Sequence, residues 1–114
     1  MANFETIKVQ MAHVKALDAA QKAAKAFADQ HMGGRDGGPC GFAWVDVYKV
    51  RSNSKLGKAL QSVGFRKSYT KSLQLWNPAK FGCQNIDTLE EGARAYAAVL
   101  KRHGIEAYAG SRLD

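Results

Sequence analysis

Cysteine is scarce. Of 114 residues only Cys40 and Cys83 carry a thiol, which excludes a scaffold held by a disulfide framework. The two could pair with each other, but nothing points to an oxidising compartment, and both read as free thiols of a cytosolic protein. Long apolar runs are also missing: no stretch approaches the ~18 consecutive apolar residues of a membrane helix. The first residues, MANFETIKVQ, lack a basic segment followed by an apolar one, so no secretory signal is expected. His13, His31 and His103 are not accompanied by other ligand residues at metal-site spacing, so neither metal nor cofactor is expected. There is no internal repeat and no low-complexity tract.

The most informative absence is of negative charge. Between Asp46 and Asp87 the chain carries eight Lys/Arg and no acid, while all ten acids and the other nine bases lie elsewhere. The formal net charge of +7 therefore arises entirely from one segment. A localised basic field is the footprint expected for a polyanionic partner. The bland alternative is a solvated face that serves only solubility.

What is present is ordinary globular composition, 46% hydrophobic and 24% charged, enough for a single domain over residues 1–114 with a core of its own. Residues 1–31 form an alanine-rich helical segment, in which Val14, Leu17, Ala20, Ala24 and Phe27 recur at spacings of three and four. Residues 6–11 are ambiguous: Ile7, Val9 and Met11 alternate as in a strand, yet Phe4, Ile7, Met11 and Val14 make a helical stripe. Helix is the reading adopted. Gly33 and Gly34 end it, and residues 33–41, GGRDGGPCG, are a connector. Glycine-rich phosphate loops run from strand into helix, whereas this one runs from helix into strand.

Residues 42–50 are the clearest strand, with Ala43, Val45 and Val47 on one face and Phe42, Trp44, Asp46 and Tyr48 on the other. Asn53 or Ser54 caps a short helix, Lys55 to Val63, ended by Gly64. A second strand runs from about Ser68 to Trp76 and stops at Asn77-Pro78. Asp87 with Glu90 is a capping-box pattern for a last helix reaching about His103, with Leu89, Ala93, Tyr96, Ala97 and Leu100 inward. Ile105 to Ala109 reads as a third strand.

The expected fold is α+β, a small three-stranded sheet with helices on one face in the order α-β-α-β-α-β. Helical crossovers would make neighbouring strands parallel where they pair directly. The opposite sheet face would be uncovered and carry Trp44, Asp46, Tyr48, Thr70, Ser72, Gln74, Trp76, Glu106 and Tyr108, with Arg112 as a further candidate. Such a face suits a ligand platform or a subunit interface.

Two candidate sets follow. The turn at residues 51–55, RSNSK, lies between strand and helix, where backbone N–H groups and a positive helix end meet an anion. Arg51, Ser52, Asn53, Ser54, Lys55, Lys58, Arg66, Lys67 and Lys71 are the expected phosphate-binding residues. Trp44, Tyr48, Gln74, Trp76 and Tyr108 are the expected stacking platform. Catalysis has little to rest on. Cys40 with His31 or His103 and Asp46 has the ingredients of a thiol nucleophile and base, but no recognised signature surrounds Cys40. Glu90 and Glu91 sit in a helix first turn, where acids favour the dipole. The expected role is binding without chemistry, with nucleic acid first. The alternatives are an oligomer that sequesters a small nucleotide, and an interaction module that buries its aromatic face against itself or a host protein.

The strings GGPCGFAWVDVYKV, SNSKLGKALQSVGF, LQLWNPAKFGCQNIDTLEEGARAYA and GIEAYAGSRLD together resemble a group of small uncharacterised tailed-bacteriophage proteins. The resemblance covers most of residues 33–114 and leaves the alanine-rich first helix outside. It implies a small accessory protein made in the cytoplasm of an infected bacterium, and it carries no catalytic residues across.

Overall fold

Alanine decides how the first helix packs. In the computed structural model, which describes residues 4–32, 41–69, 72–78 and 85–113, helix α1 (Phe4–Met32) takes in residues 6–11. Ala12, Ala16, Ala20, Ala24 and Ala28 recur every four residues and are buried together with Val9. A row of small side chains at this spacing forms a shallow ridge that admits a close neighbour. That neighbour is chiefly α3 (Ile86–Arg102), with α2 (Lys55–Ser62) beside it. His13 Nδ1 lies 2.6 Å from the hydroxyl of Tyr96, a fully buried residue of α3. The seam differs from the expected stripe. Ala20 and Ala24 belong to it, Leu17 and Phe27 flank it half-buried, and Val14 is exposed with Ile7 and Met11. The alanine row won because burying it brings the helices closer than the larger residues would allow.

The sheet has four strands: β1 (Gly41–Val47), β2 (Arg66–Lys67), β3 (Leu73–Trp76) and β4 (Ala107–Leu113), in the order β2-β3-β1-β4 with every pair antiparallel. The expectation of three strands with parallel neighbours is corrected at the second strand, which is a hairpin. Ser68 N–H donates to Ser72 C=O at 3.0 Å, Ser72 N–H donates to Ser68 Oγ at 3.2 Å, and the two hydroxyl oxygens lie 2.7 Å apart. The chain reverses there, so Arg66 faces Gln74 and Lys67 faces Leu73.

The helical crossovers still join strands that run parallel, β1 to β2 through α2 and β3 to β4 through α3. Those strands are never neighbours, because β3 sits between β1 and β2 and β1 sits between β3 and β4. After α1 the connectivity is the split β-α-β-β-α-β arrangement.

Boundaries follow local chemistry. β1 stops before Lys49, whose φ of 60° turns the chain. Ser54 caps α2, its side chain accepting from Gly57 N–H, and Gly64 follows with φ of 117°. The cap of α3 is Asn85, which accepts from Thr88 N–H at 3.0 Å. Asp87 therefore lies in the first turn and is not the cap expected of it. β4 runs on to Leu113 because it pairs with β1 along its whole length, from Gly41↔Leu113 to Val47↔Ala107.

The core lies between this sheet and the helices. Ala43, Val45, Val47, Leu73 and Ala107 meet Leu60, Phe65, Ala93, Tyr96, Ala97 and Leu100, all buried. α1 forms an outer layer on α2 and α3, so all three helices lie to one side of the sheet, and among the described residues no element covers the other face. Among the described residues no helix is long and apolar enough to cross a membrane.

Candidate functional site

Alternation along β1 sends Phe42, Trp44 and Asp46 to the uncovered face, and antiparallel register brings their partners beside them. Trp44 pairs with Trp76 on one side and Gly110 on the other; Asp46 pairs with Gln74 and Tyr108; Phe42 pairs with Arg112. The indoles of Trp44 and Trp76 stack with centroids 4.8 Å apart and planes at 29°. Phe42 meets Trp76 edge-on at 5.9 Å. The Arg112 guanidinium stands 5.5 Å from the Phe42 ring centre and 5.9 Å from that of Trp76. Further along, Tyr48 and Tyr108 lie 6.2 Å apart, with Lys101 Nζ 4.6 Å from the Tyr108 ring. The five expected platform residues, Trp44, Tyr48, Gln74, Trp76 and Tyr108, thus share one face.

Asp46 organises this face. It is buried, and its carboxylate takes four side-chain hydrogen bonds. Oδ1 accepts from Ser72 Oγ at 2.9 Å and Gln74 Nε2 at 2.8 Å; Oδ2 accepts from Trp44 Nε1 at 2.9 Å and Tyr48 OH at 3.1 Å. Gln74 then accepts from Trp76 Nε1 at 3.1 Å. A buried carboxylate is tolerable when its lone pairs are filled in this way. Partial burial, then the Asp46 charge and the hydrogen bond to it, hold the Tyr48 phenol above its ordinary pKa.

Beside the platform lies an open groove of about 800 Å³. Lys49, Arg51 and Lys67 bring charge to it, and Ser52, Asn53, Ser68 and Ser72 bring hydrogen-bonding groups. A second recess of about 650 Å³ is lined by Trp44, Trp76, Tyr69 and Arg112. Lys67 and Ser68 line both, so groove and platform meet at the β2–β3 hairpin. Tyr69, at the hairpin turn, is fully exposed. The ion pairs among the described residues join Lys22 to Asp18, Lys25 to Asp29, and Arg94 to Glu90 and Glu91. None engages a groove cation.

The expected phosphate residues are therefore distributed. Arg51, Ser52, Asn53 and Lys67 line the groove. Arg66 lines a smaller recess of about 390 Å³ with Gln74 and Trp76. Lys55 and Lys58 are exposed on α2 outside the groove lining. Ser54 serves the fold: its hydroxyl donates to Arg51 C=O at 2.6 Å and accepts from Gly57 N–H at 3.0 Å, so it fills the cap of α2 itself. Gly57 permits that turn, since a Cβ there would meet Arg51 O at 2.0 Å. Lys71, Thr70, Cys40 and Cys83 lie outside the described residues.

Arg112, a further candidate for the open face, stands beside Phe42 and Trp76. Sequence reasoning missed two contributors: Lys49 was only one charge among many, and Gly110 gave no signal. Among the described residues no group of His, Cys, Asp and Glu could hold a metal ion. No family model, curated protein or solved structure matches the chain.

Proposed function

We propose that this protein binds nucleic acid without chemistry, laying bases on the Trp44–Trp76 face and phosphates in the groove of Lys49, Arg51 and Lys67. The observation that carries this reading is the junction of the two features at Lys67 and Ser68. A four-stranded antiparallel sheet with aromatic side chains on an open face is also how one common class of RNA-binding module stacks bases. That parallel concerns geometry alone, since fold does not fix function. The phage-like wording of residues 33–114 fits an accessory role inside an infected bacterium.

A second reading is a single small nucleotide held in the groove, whose volume of about 800 Å³ falls in the range of small-molecule sites. Salt separates the two. Titration of a fluorescein-labelled oligonucleotide by anisotropy at several salt concentrations should give a steep dependence, where one nucleotide would give a shallow one. The double variant Arg51→Ala, Lys67→Ala should bind at least tenfold more weakly. It should also lower the logarithmic salt slope by about 1.4, two contacts at ~0.7 each for a single strand. Unchanged slope and affinity in a folded double variant would remove the groove from the interface.

A further inference from the structure

The hydrogen-bonding groups of Trp44, Asp46, Tyr48, Ser72, Gln74 and Trp76 are bonded to one another, while the guanidinium of Arg112 stays beside the aromatic rings. Trp44 Nε1 is bonded to Asp46 and Trp76 Nε1 to Gln74, so the sole donor of each indole is taken up within the protein. Gln74 uses its amide nitrogen on Asp46 and its amide oxygen on Trp76. Ser72 and Tyr48 donate their hydroxyls to the same carboxylate. What remains accessible is aromatic ring surface, with Trp76 46% exposed and Tyr69 fully so, although one face of each indole is spent on the other.

Reading a base by its edge requires donors and acceptors aimed at that edge, left unpaired until the base arrives. A ring face makes no such demand, because every base has a π-face of its own. Resting on the nucleic-acid reading above, we infer that the ligand is an unpaired strand, bound by stacking with little discrimination among bases. Asp46 is the positioning residue that makes the platform so, by drawing the hydrogen-bonding edges of four neighbours down to itself. A duplex keeps its base faces inside its own stack and can use only the cations.

The test uses the intact protein and four labelled probes of equal length: oligo(dT), oligo(dA), oligo(dC) and a mixed-sequence duplex. The three single strands should bind within about tenfold of one another. At a salt concentration that suppresses purely ionic binding, the duplex should bind at least about fivefold more weakly, the smallest gain expected from one stacked base. Trp76→Ala, a substitution at a half-exposed position, should abolish most of that preference. A hundredfold preference for one base would overturn the inference and leave the interface standing. Equal affinity for duplex and single strand, with Trp76→Ala silent, would overturn it in favour of a groove that reads charge alone. Failure of every probe to bind would remove the nucleic-acid reading itself.

Discussion

Replacing Gly110 by alanine sets two effects of opposite sign against each other. Gly110 lies within β4, directly across from Trp44, and its φ is not among the left-handed ones. By general rules the change should help, since alanine reduces the freedom of the unfolded chain by about 0.4–1 kcal/mol. The structure argues the reverse. A Cβ at residue 110 would sit 2.6 Å from Trp44 Nε1 and 2.8 Å from Cε2, so the indole must move. That ring is held from two sides, by its 2.9 Å bond to Asp46 and by its stack on Trp76. Losing a hydrogen bond to a charged acceptor costs about 1.5–3 kcal/mol, and losing an aromatic pair about 0.5–1.5 kcal/mol. The penalties exceed the entropic gain across both ranges, leaving a net destabilisation of about 1–3 kcal/mol once partial relaxation is allowed for. Urea unfolding should show a lower midpoint at unchanged slope, with altered near-ultraviolet circular dichroism and weaker oligo(dT) binding. A variant as stable as its parent, with the same aromatic dichroism, would mean that the Trp44 ring does not lie over Gly110.

Two more substitutions separate charge from scaffold. Lys49 holds a left-handed φ of 60° at the groove, so Lys49→Gly should raise stability by up to about 1 kcal/mol while weakening oligonucleotide binding; a melt that falls would show that the side chain also supports the fold. Asp46→Asn keeps the shape but turns one acceptor into a donor facing two other donors, at a cost of roughly 2–4 kcal/mol. Tryptophan emission should shift red as the indoles lose their anchor, and unchanged stability and emission would deny Asp46 its organising role.

The parity of the open face was legible because a strand has a period of two, and one buried row fixes the other. Ala43, Val45 and Val47 are uniformly apolar, so Trp44, Asp46 and Tyr48 had to share the opposite side. Helix ends were legible where glycine or serine has a specific backbone task, as at Ser54 and Gly64. The hairpin was not, because its turn has none of the Asn-Gly or Gly-rich signals that mark short reversals. Serine hydroxyls at 68 and 72 supply the missing hydrogen bonds, and such contacts leave little trace in a sequence.

That one unread turn governs the site. As a continuous strand, residues 68–76 would have kept Arg66 and Lys67 beyond the sheet, in the connection after α2. Folded back, the chain pairs Lys67 with Leu73, carries Ser68 to Ser72, and so sets a cation at the meeting of groove and platform. The charge excess visible between Asp46 and Asp87 is sorted by the same event. Arg51 and Lys67 flank α2 in the chain and converge on one groove, whereas Lys55 and Lys58, closer to Arg51 in sequence than Lys67 is, ride on the helix outside its lining. Charge density along a sequence thus reports that an anion partner is plausible, but the turn geometry decides which cations can meet it together. Asp46 is the counterpart on the aromatic face. A lone acid between Trp44 and Tyr48 at strand parity is a signal a sequence does hold, because only a carboxylate surrounded by donors can be buried there at tolerable cost.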